Sequence, residues 1–447
     1  MSFCAGFTRR FINQARLSRE PLLSASATVK ILHLTARYWP AQGGAESYAR
    51  EISTRLAAEG HTVTVATTDA LEVELFWDPH RRRLTERQIE ASGVLIKRFP
   101  VRHLVGAPRL YAVWRYLLFY GLAAVGLPNA WLGWLSRYTP YVPELWRWLS
   151  QTEEVFDVVV AFGILYEPLI YHGRQLARRR SIPFVVCPFT HLGAGPQPAR
   201  DAVSRYYTMP HQVQLVTNAD AMLAMTPTEG EFYVRRGLPK TKVIVTGAGI
   251  DPQTIGQGQG KRFRDKYEID GPIVALIASL SYDKGAIHLL EAGRHLWRAG
   301  LPVNIVLVGA VLKPFHTYFE NLPAADRARV YLLGSLPEAD KCDLLDALDI
   351  LAMPSRTDSF GIAYLEAWLY GKPVIGAQAW GMSDLIAVNE DGLLVPFGDA
   401  LRLAEAIRYL LAHPAESARL GQNGRAKALA RYTWDDIYKR AKIAYSR

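Results

Sequence analysis

Asp358 and Glu366 stand eight residues apart in MPSRTDSFGIAYLEAWLYGKP, the stretch from Met353 to Pro373. That separation is close to two turns of an α-helix at about 3.6 residues per turn. The stretch opens on a turn at Pro354 and Ser355, carries a short acidic loop, takes up apolar residues at helical spacing and stops at Gly371-Lys372-Pro373. The pattern predicts Asp358 at the helix mouth as a cap and Glu366 two turns in on nearly the same side. The N–H groups of Ser359, Phe360 and Gly361 would then be free donors at the positive end of the helix dipole, a setting that suits an anion. The chemistry on offer is a phosphate cradle with a carboxylate at each end, and carboxylates hold the hydroxyls of sugars and ribose. A capped amphipathic helix with two acidic residues is the competing reading of the same spacing.

Two α/β units must position this element. The first opens with VKILHLT, Val29 to Thr35, a short apolar run of the kind found in buried parallel strands. A Gly43-Gly44 loop follows, then a helix over Ala45 to Glu59 with apolar positions at Ala49, Ile52, Leu56 and Ala57, ended by Gly60. His61 to Thr67 is the next strand, so the unit opens a parallel sheet. The Gly-x-Gly-x-x-Gly dinucleotide fingerprint is missing from its loop. Further strands are expected at Val94–Val101, Asp157–Phe162, Pro183–Cys187, Ala219–Met225 (with a helix after it through Arg235) and Val243–Thr246. His191 falls just past the C-terminal end of the Pro183–Cys187 strand, where open α/β sheets place ligands. A structural histidine is the alternative.

Residues 252–271 hold GQGQG and KRFRDKYEIDG, a composition suited to a linker and lead-in. The second unit then runs from a strand at Ile273–Ala278 through the loop Ser279 to Gly285 and a helix over Ala286–Ala299. Strands at Val303–Val308, Val330–Leu333 and Ile350–Met353, with a helix over Asp340–Leu348, lead to the Asp358 loop. Strands at Val374–Ala377 and Leu393–Pro396 and two helices complete it. Lys284 sits after a strand beside Gly285, where backbone can approach a phosphate; a surface turn has the same signature.

The run Asp358-Ser-Phe-Gly-Ile-Ala-Tyr-Leu-Glu366-Ala resembles the donor-site signature of retaining, family-4-type glycosyltransferases of the GT-B fold (glycosyl transferases group 1). There an acidic residue, usually Glu, is followed by seven others and then Glu; Asp358 is shorter by one methylene. The resemblance covers nearly the whole chain from Val29 and is weakest between Val101 and Phe156. The Gly43-Gly44 loop is similar to one that faces the cleft in the family. Gly247-Ala-Gly249-Ile-Asp251 resembles its hinge turn, and Tyr432-Thr-Trp434 to Tyr445 its terminal helix, which crosses back onto the first domain. The domains so implied are a Rossmann-like acceptor domain over 29–250, joined by 432–447, and a Rossmann-like donor domain over 251–431, facing each other across a cleft.

The resemblance also implies roles. Glu366 would accept both ribose hydroxyls and Asp358 would hold hydroxyls of the donor sugar. The N–H groups of Ser359, Phe360 and Gly361 would face sugar and phosphates, and Lys284 would neutralise the leaving diphosphate. His191 would lie by donor sugar and acceptor, with Gly43 and Gly44 facing them. The family retains anomeric configuration, a reaction drawn as front-face attack through an oxocarbenium-like transition state, with the leaving phosphate taking the acceptor proton. The two carboxylates are not a hydrolase acid/base pair, since their spacing lays them along a binding helix. No Asp-x-Asp triplet occurs in the sequence, which favours a metal-free site using a helix N-terminus and basic side chains.

One departure stands out. Where the family usually has Gly-Arg-Leu, with the arginine on the diphosphate, this chain has Ala278-Ser279-Leu280. Losing such a donor costs about 2.7–4 kcal/mol. Arg356, beside the acidic loop, is the candidate substitute. The departure leaves open a weakly active or inactive nucleotide-sugar-binding relative that serves as a partner subunit. A phosphorylase or epimerase of similar fold is a third possibility, though no lysine in a cofactor-type motif supports it.

Composition bounds the rest. The 447 residues leave room for two or three domains, and 49% hydrophobic with 21% charged residues is a globular balance. Cys4, Cys187 and Cys342 are far apart with no Cys-x-x-Cys, which points to a reducing compartment. The net charge of +10 is spread over small clusters, Arg81 to Arg83 and Arg178 to Arg180, with no nucleic-acid motif beside them, so nucleic acid is not an expected partner. Residues 1–28 lack a long apolar core and read as a flexible extension or an upstream start, with a transit peptide a compositional alternative.

No charged residue falls between Arg115 and Arg137, the length of a membrane span. Gly121, Gly126, Pro128, Asn129 and Gly133 interrupt it, and Trp114, Trp131, Trp134, Trp146 and Trp148 crowd its flanks. Three readings follow for 111–148: contact with an anionic membrane surface through the tryptophans, Arg115, Arg137 and Arg147; buried core helices; or a span, which would have to thread the middle of an α/β domain. The expected protein is cytoplasmic, with peripheral contact at the inner face of a membrane. It takes a UDP- or GDP-linked sugar with no further cofactor, and its acceptor is a saccharide or is lipid-linked.

Overall fold

The computed structural model describes residues 28–104, 107, 109–118 and 125–446. The extension at 1–28 therefore lies, but for Thr28, outside the described residues, as does Gly121.

Two sheets carry the architecture. The first has the order β3-β4-β2-β1-β5-β6-β7-β8. Its strands are β1 (Lys30–Leu34), β2 (Thr62–Thr68), β3 (Gln88–Ala91), β4 (Val94–Phe99), β5 (Val158–Phe162), β6 (Phe184–Cys187), β7 (Ala221–Ala224) and β8 (Val243–Val245). The second has the order β11-β10-β9-β12-β13-β14. It is built from β9 (Ile273–Ile277), β10 (Asn304–Val308), β11 (Val330–Gly334), β12 (Ile350–Met353), β13 (Val374–Ala377) and β14 (Leu393–Val395). All pairs are parallel except β3 with β4. The β3–β4 hairpin turns at Ser92 and Gly93, with φ of 52° and 74°, the left-handed pair that a two-residue hairpin turn requires. The sequence expectation held only β4, because Ala-Ser-Gly is a weak turn signal.

Both sheets are buried on both faces, which explains their unbroken apolar runs. Along β5 the side chains alternate between two cores: Val158, Val160 and Phe162 enter one, Val159 and Ala161 the other. The chain end belongs to the first sheet's core. The helix Trp434–Tyr445 runs back across it, with the Tyr445 hydroxyl 2.9 Å from His33 Nε2 and Arg440 Nη1 donating to Thr246 O at 2.8 Å. Just before it, Thr433 pairs with Ile250 of the hinge turn.

The aromatic segment forms the short helices Arg109–Tyr116, Asn129–Ser136 and Pro143–Gln151. Among the described residues no helix is long and apolar enough to cross a membrane. Pro128 precedes the second of these helices, whereas Gly133 lies inside it, and the tryptophans of the segment differ in exposure. Trp146 is buried and stacks on His172 at 4.5 Å, whereas Trp131 and Trp134 are 61% and 47% exposed.

Candidate active site

Strand order places the chemistry. In the second sheet the winding reverses between β9 and β12, and ligands of open α/β sheets bind at such a switch point, outside the strands' C-terminal ends. The loop after β9 carries Ser279 and Lys284, and the loop after β12 carries Arg356 and Asp358. The first sheet reverses between β1 and β5; the loop after β1 carries Gly43 and Gly44, and the loop after β6 carries His191.

Lys284 closes the switch point. Its ammonium donates to Asp358 Oδ1 at 2.5 Å and to Thr357 O at 2.8 Å. An ammonium has three N–H donors, so one remains. Burial works against the Asp358 carboxylate, but Lys284 outweighs it, helped by Ser355 and His191, and holds the carboxyl below its usual range. Oδ2 of Asp358 is buried and makes no hydrogen bond; the nearby Ser355 hydroxyl is turned to Asp283 O at 3.4 Å. His191 answers from the other domain. It stacks on Tyr207 with centroids 4.2 Å apart, and its Nδ1 is likewise buried without a partner. Burial, with Lys284 second, pushes His191 down to about 3, so it is neutral at pH 7. His191, Lys284 and Asp358 are therefore close enough to feel one another's charge across the cleft.

Glu366 lies on the helix Ile362–Leu369, buried, and Lys341 Nζ donates to its Oε1 at 2.9 Å. Lys341 also pairs with Glu338 at 3.0 Å. Burial opposes the charged lysine, but Glu366 and Glu338 outweigh it and raise its pKa. The helix begins one turn later than the spacing predicts. Gly361, in the left-handed region at φ 89°, precedes it, and no side chain caps it. Asp358 is thus not the cap; it is Lys284's partner in the preceding loop. Among the described residues no acceptor takes the N–H groups of Ser359, Phe360 or Gly361, but they precede the helix instead of forming its first turn.

The other candidates sort as follows. A β-carbon on Gly44 would lie 3.7 Å from Ile362 Cδ1, so this loop meets the first residue of the Glu366 helix, with Gly43 just before it. Phe360 turns its ring away from the cleft: it is buried against Gly247 of the hinge turn and packs edge-on to Tyr432 at 5.3 Å, leaving only its N–H for a ligand. Gly285 (φ 83°) is demanded by packing rather than by a phosphate, since a β-carbon there would sit 2.5 Å from Pro354 O. Ser279 is half-buried and offers a hydroxyl where a cation was sought. Arg356 is engaged: its Nε and Nη2 donate to Asp283 Oδ1 at 2.9 and 2.7 Å, and its guanidinium lies 4.7 Å from the centre of the Phe397 ring.

Sequence reasoning missed four supporting residues. Tyr207 fixes the His191 ring and Lys341 holds Glu366. Glu229 accepts from Thr190 N at 2.5 Å and Met225 N at 2.7 Å, clamping the His191 loop from below. Trp380 joins the two domains, its backbone N–H donating to Gly193 O and its indole N–H to Gly195 O, both at 2.9 Å. Each comes from an element distant in sequence, and no local spacing announces it.

Comparison with known proteins agrees with this geometry. Residues 43–249 match a family model described as glycosyl transferase 4-like domain, and residues 260–427 one described as glycosyl transferases group 1. A D-inositol 3-phosphate glycosyltransferase of Xylanimonas cellulosilytica is 28% identical over 50% of this chain; the match spans 56% of that relative, about half its length. A D-inositol 3-phosphate glycosyltransferase of Gordonia bronchialis is 26% identical over 91% of this chain and 84% of its own. Anabaena HepE, solved with UDP-glucose, shares the fold with a TM-score of 0.65 at 20% identity, over 93% of this chain and 98% of its own. The chain belongs to the glycosyl transferases group 1 family and has the GT-B fold, two Rossmann-like domains facing each other across a cleft.

Proposed function

We propose that this chain transfers a hexose-type sugar from a UDP- or GDP-linked donor to a hydroxyl of a saccharide or lipid-linked acceptor, with retention and without a metal. The observation that carries this is the pair of orphaned atoms, Asp358 Oδ2 and His191 Nδ1, presented to one cleft from opposite domains. An unsatisfied buried polar atom costs about 1–3 kcal/mol, which a hydroxyl-rich ligand would recover. The remaining Lys284 N–H and the free N–H groups of Ser359 to Gly361 supply the donors that growing charge on a leaving diphosphate needs. Glu366, held by Lys341, would accept ribose hydroxyls. Neutral His191 can donate or accept, but does not add a second positive charge beside the donor sugar. That relatives are named glycosyltransferases and that HepE is solved with UDP-glucose support the reading.

Exposed Trp131 and Trp134, with Arg137 stacked 3.9 Å from the centre of the Trp134 ring, support peripheral contact with an anionic membrane. A role in cell-surface polysaccharide or glycolipid synthesis on the cytoplasmic face would fit such contact. The test is nucleoside diphosphate release from UDP- and GDP-sugars by the full chain, compared with Asp358→Asn. Release by the parent chain and its loss in the variant support transfer at this site. A second reading, a nucleotide-sugar-binding partner subunit, is favoured by Ser279 and by the engagement of Arg356 with Asp283. Donor binding without release across acceptors would select it.

A further inference from the structure

Beside the cleft, along the outer face of the helix Pro227–Val234 and the free edge of β8, lies a groove of about 880 Å³. Arg200, Arg235, Arg236 and Lys240 line it, and its one carboxylate is Glu231. Glu231 is already spent, since its Oε1 accepts from Arg235 Nε at 2.8 Å. Among the described residues no carboxylate lies within ion-pair distance of Arg200, Arg236 or Lys240. Arg236 is nevertheless held in a fixed pose: its guanidinium lies 3.6 Å from the centre of the Phe232 ring and its Nη1 donates to Phe232 O at 2.9 Å. Burial depresses its pKa, Tyr233 opposes the fall, and Arg200 and Arg235 add to it, so Arg236 lies within electrostatic reach of two further cations, of which only Arg235 has a carboxylate partner.

The groove is joined to the reaction site. One of its walls is Trp380, which spans the two domains through Gly195. A β-carbon on the next residue, Gly381, would lie 3.8 Å from Ser359 O and 3.9 Å from Asp358 O, so the residue after this wall lies against the Asp358 loop. Thr228, another lining residue, is tied to the second domain through Asp384 at 2.8 and 3.0 Å.

We propose that this groove binds an anionic group, a phosphate or carboxylate, carried by the saccharide acceptor, and so selects acidic glycans over neutral ones. The proposal rests on the glycosyltransferase reading for the word acceptor, but not for the anion site. Arginine forks match phosphate and carboxylate geometry, and three uncompensated cations raise the local concentration of such ligands.

The test uses the full chain saturated with UDP, so that the donor site is filled, and titrates inositol hexakisphosphate as a soluble phosphorylated cyclitol. Inorganic phosphate and phosphatidylglycerol vesicles form two further arms. The expected result is binding of the hexakisphosphate that weakens at least tenfold in R200E/R236E/K240E, with UDP affinity unchanged. The single variants should weaken it less, which keeps the test valid if the triple variant unfolds. Inorganic phosphate should bind far more weakly than the cyclitol. Equal affinity in parent and variants overturns the proposal. So does loss of vesicle binding alone, which would assign the groove to a membrane surface, or equally tight inorganic phosphate, which would assign it to a free ion. Failure of UDP itself to bind counts against the donor site and leaves the groove's result standing.

Discussion

The Lys284 ammonium lies 2.5 Å from Asp358 Oδ1, so this ion pair, beside that of Arg356 with Asp283, ties the loop after β9 to the loop after β12 at the point where the second sheet reverses. Lys284→Ala would strand the Asp358 carboxylate with two unsatisfied oxygens. Breaking a buried pair by removing one partner costs about 3–5 kcal/mol. The side chains are 20% and 13% exposed, so the lower end, about 3 kcal/mol, is expected. Denaturant unfolding should show that loss, and Lys284→Ala with Asp358→Asn should recover part of it. An unchanged midpoint in the single variant would mean that the pair does not hold the loops together.

Lys341 predicts a positioning effect. Its Nζ sits 2.9 Å from Glu366 Oε1 and 3.0 Å from a Glu338 oxygen, while Glu366 itself is buried. Lys341→Met should free Glu366 from its rotamer and raise the donor KM several-fold, with kcat nearly kept, because ribose is held alike in ground and transition states. A fall in kcat at constant KM would give Lys341 a different role.

Acid should unfold this protein steeply. Burial pushes His33 and His191 down to about 3, and His172, also beside Arg137 and Arg179, down to about 4. Below their ordinary value of 6.5 the unfolded chain takes up these three protons and the folded chain does not, so stability falls as pH falls. Glu229 acts in the opposite sense: burial raises it to about 7, so its contribution is full below 4.5 and is lost as pH rises through 7. Near pH 5 these four groups balance at about two protons, or about 3 kcal/mol per pH unit, and His61 and His288, also lowered by burial, act in the histidines' sense. Denaturant midpoints at pH 7, 6 and 5 measure that slope, and a flat profile would contradict the buried neutral histidines.

Much of the fold was legible because it is written locally. Apolar runs such as the Val158–Phe162 strand have no other use than a sheet buried on both faces. The apolar spacing around Glu366 announced the helix Ile362–Leu369, and the switch points follow from strand order. What was illegible depends on distance in sequence. Nothing near Glu366 announces Lys341, and nothing near His191 announces Tyr207. Position alone also hides the packing: Gly285 lies against Pro354 O, the Phe360 ring against the hinge turn, and Arg356 on Asp283. Within the aromatic segment 111–148 the sequence does not say which tryptophans are covered, because each one's fate is set by what packs over it. His172 covers Trp146, whereas Trp131 stays 61% exposed.

That exposure yields a membrane prediction. Burying one large apolar side chain is worth about 1.5–3 kcal/mol, so removing two from a membrane contact should weaken it more than tenfold. Trp131→Glu with Trp134→Glu should abolish co-flotation with phosphatidylglycerol vesicles and lower the unfolding midpoint only slightly, since Trp131 is largely exposed and Trp134 loses chiefly its Arg137 contact. Equal flotation of parent and variant would remove this patch from the account.

The central claim is that a nucleoside diphosphate sugar sits between Lys284, Asp358 and Glu366 with His191 across the cleft. Calorimetric titration of UDP-, GDP- and ADP-sugars into the parent chain and into Glu366→Ala tests it most directly. The account predicts that one UDP- or GDP-sugar binds the parent and binds the variant at least tenfold more weakly, the loss of charged hydrogen bonds worth about 1.5–3 kcal/mol. Equal affinity in the two proteins, or no binding of any sugar nucleotide to the parent, would contradict it.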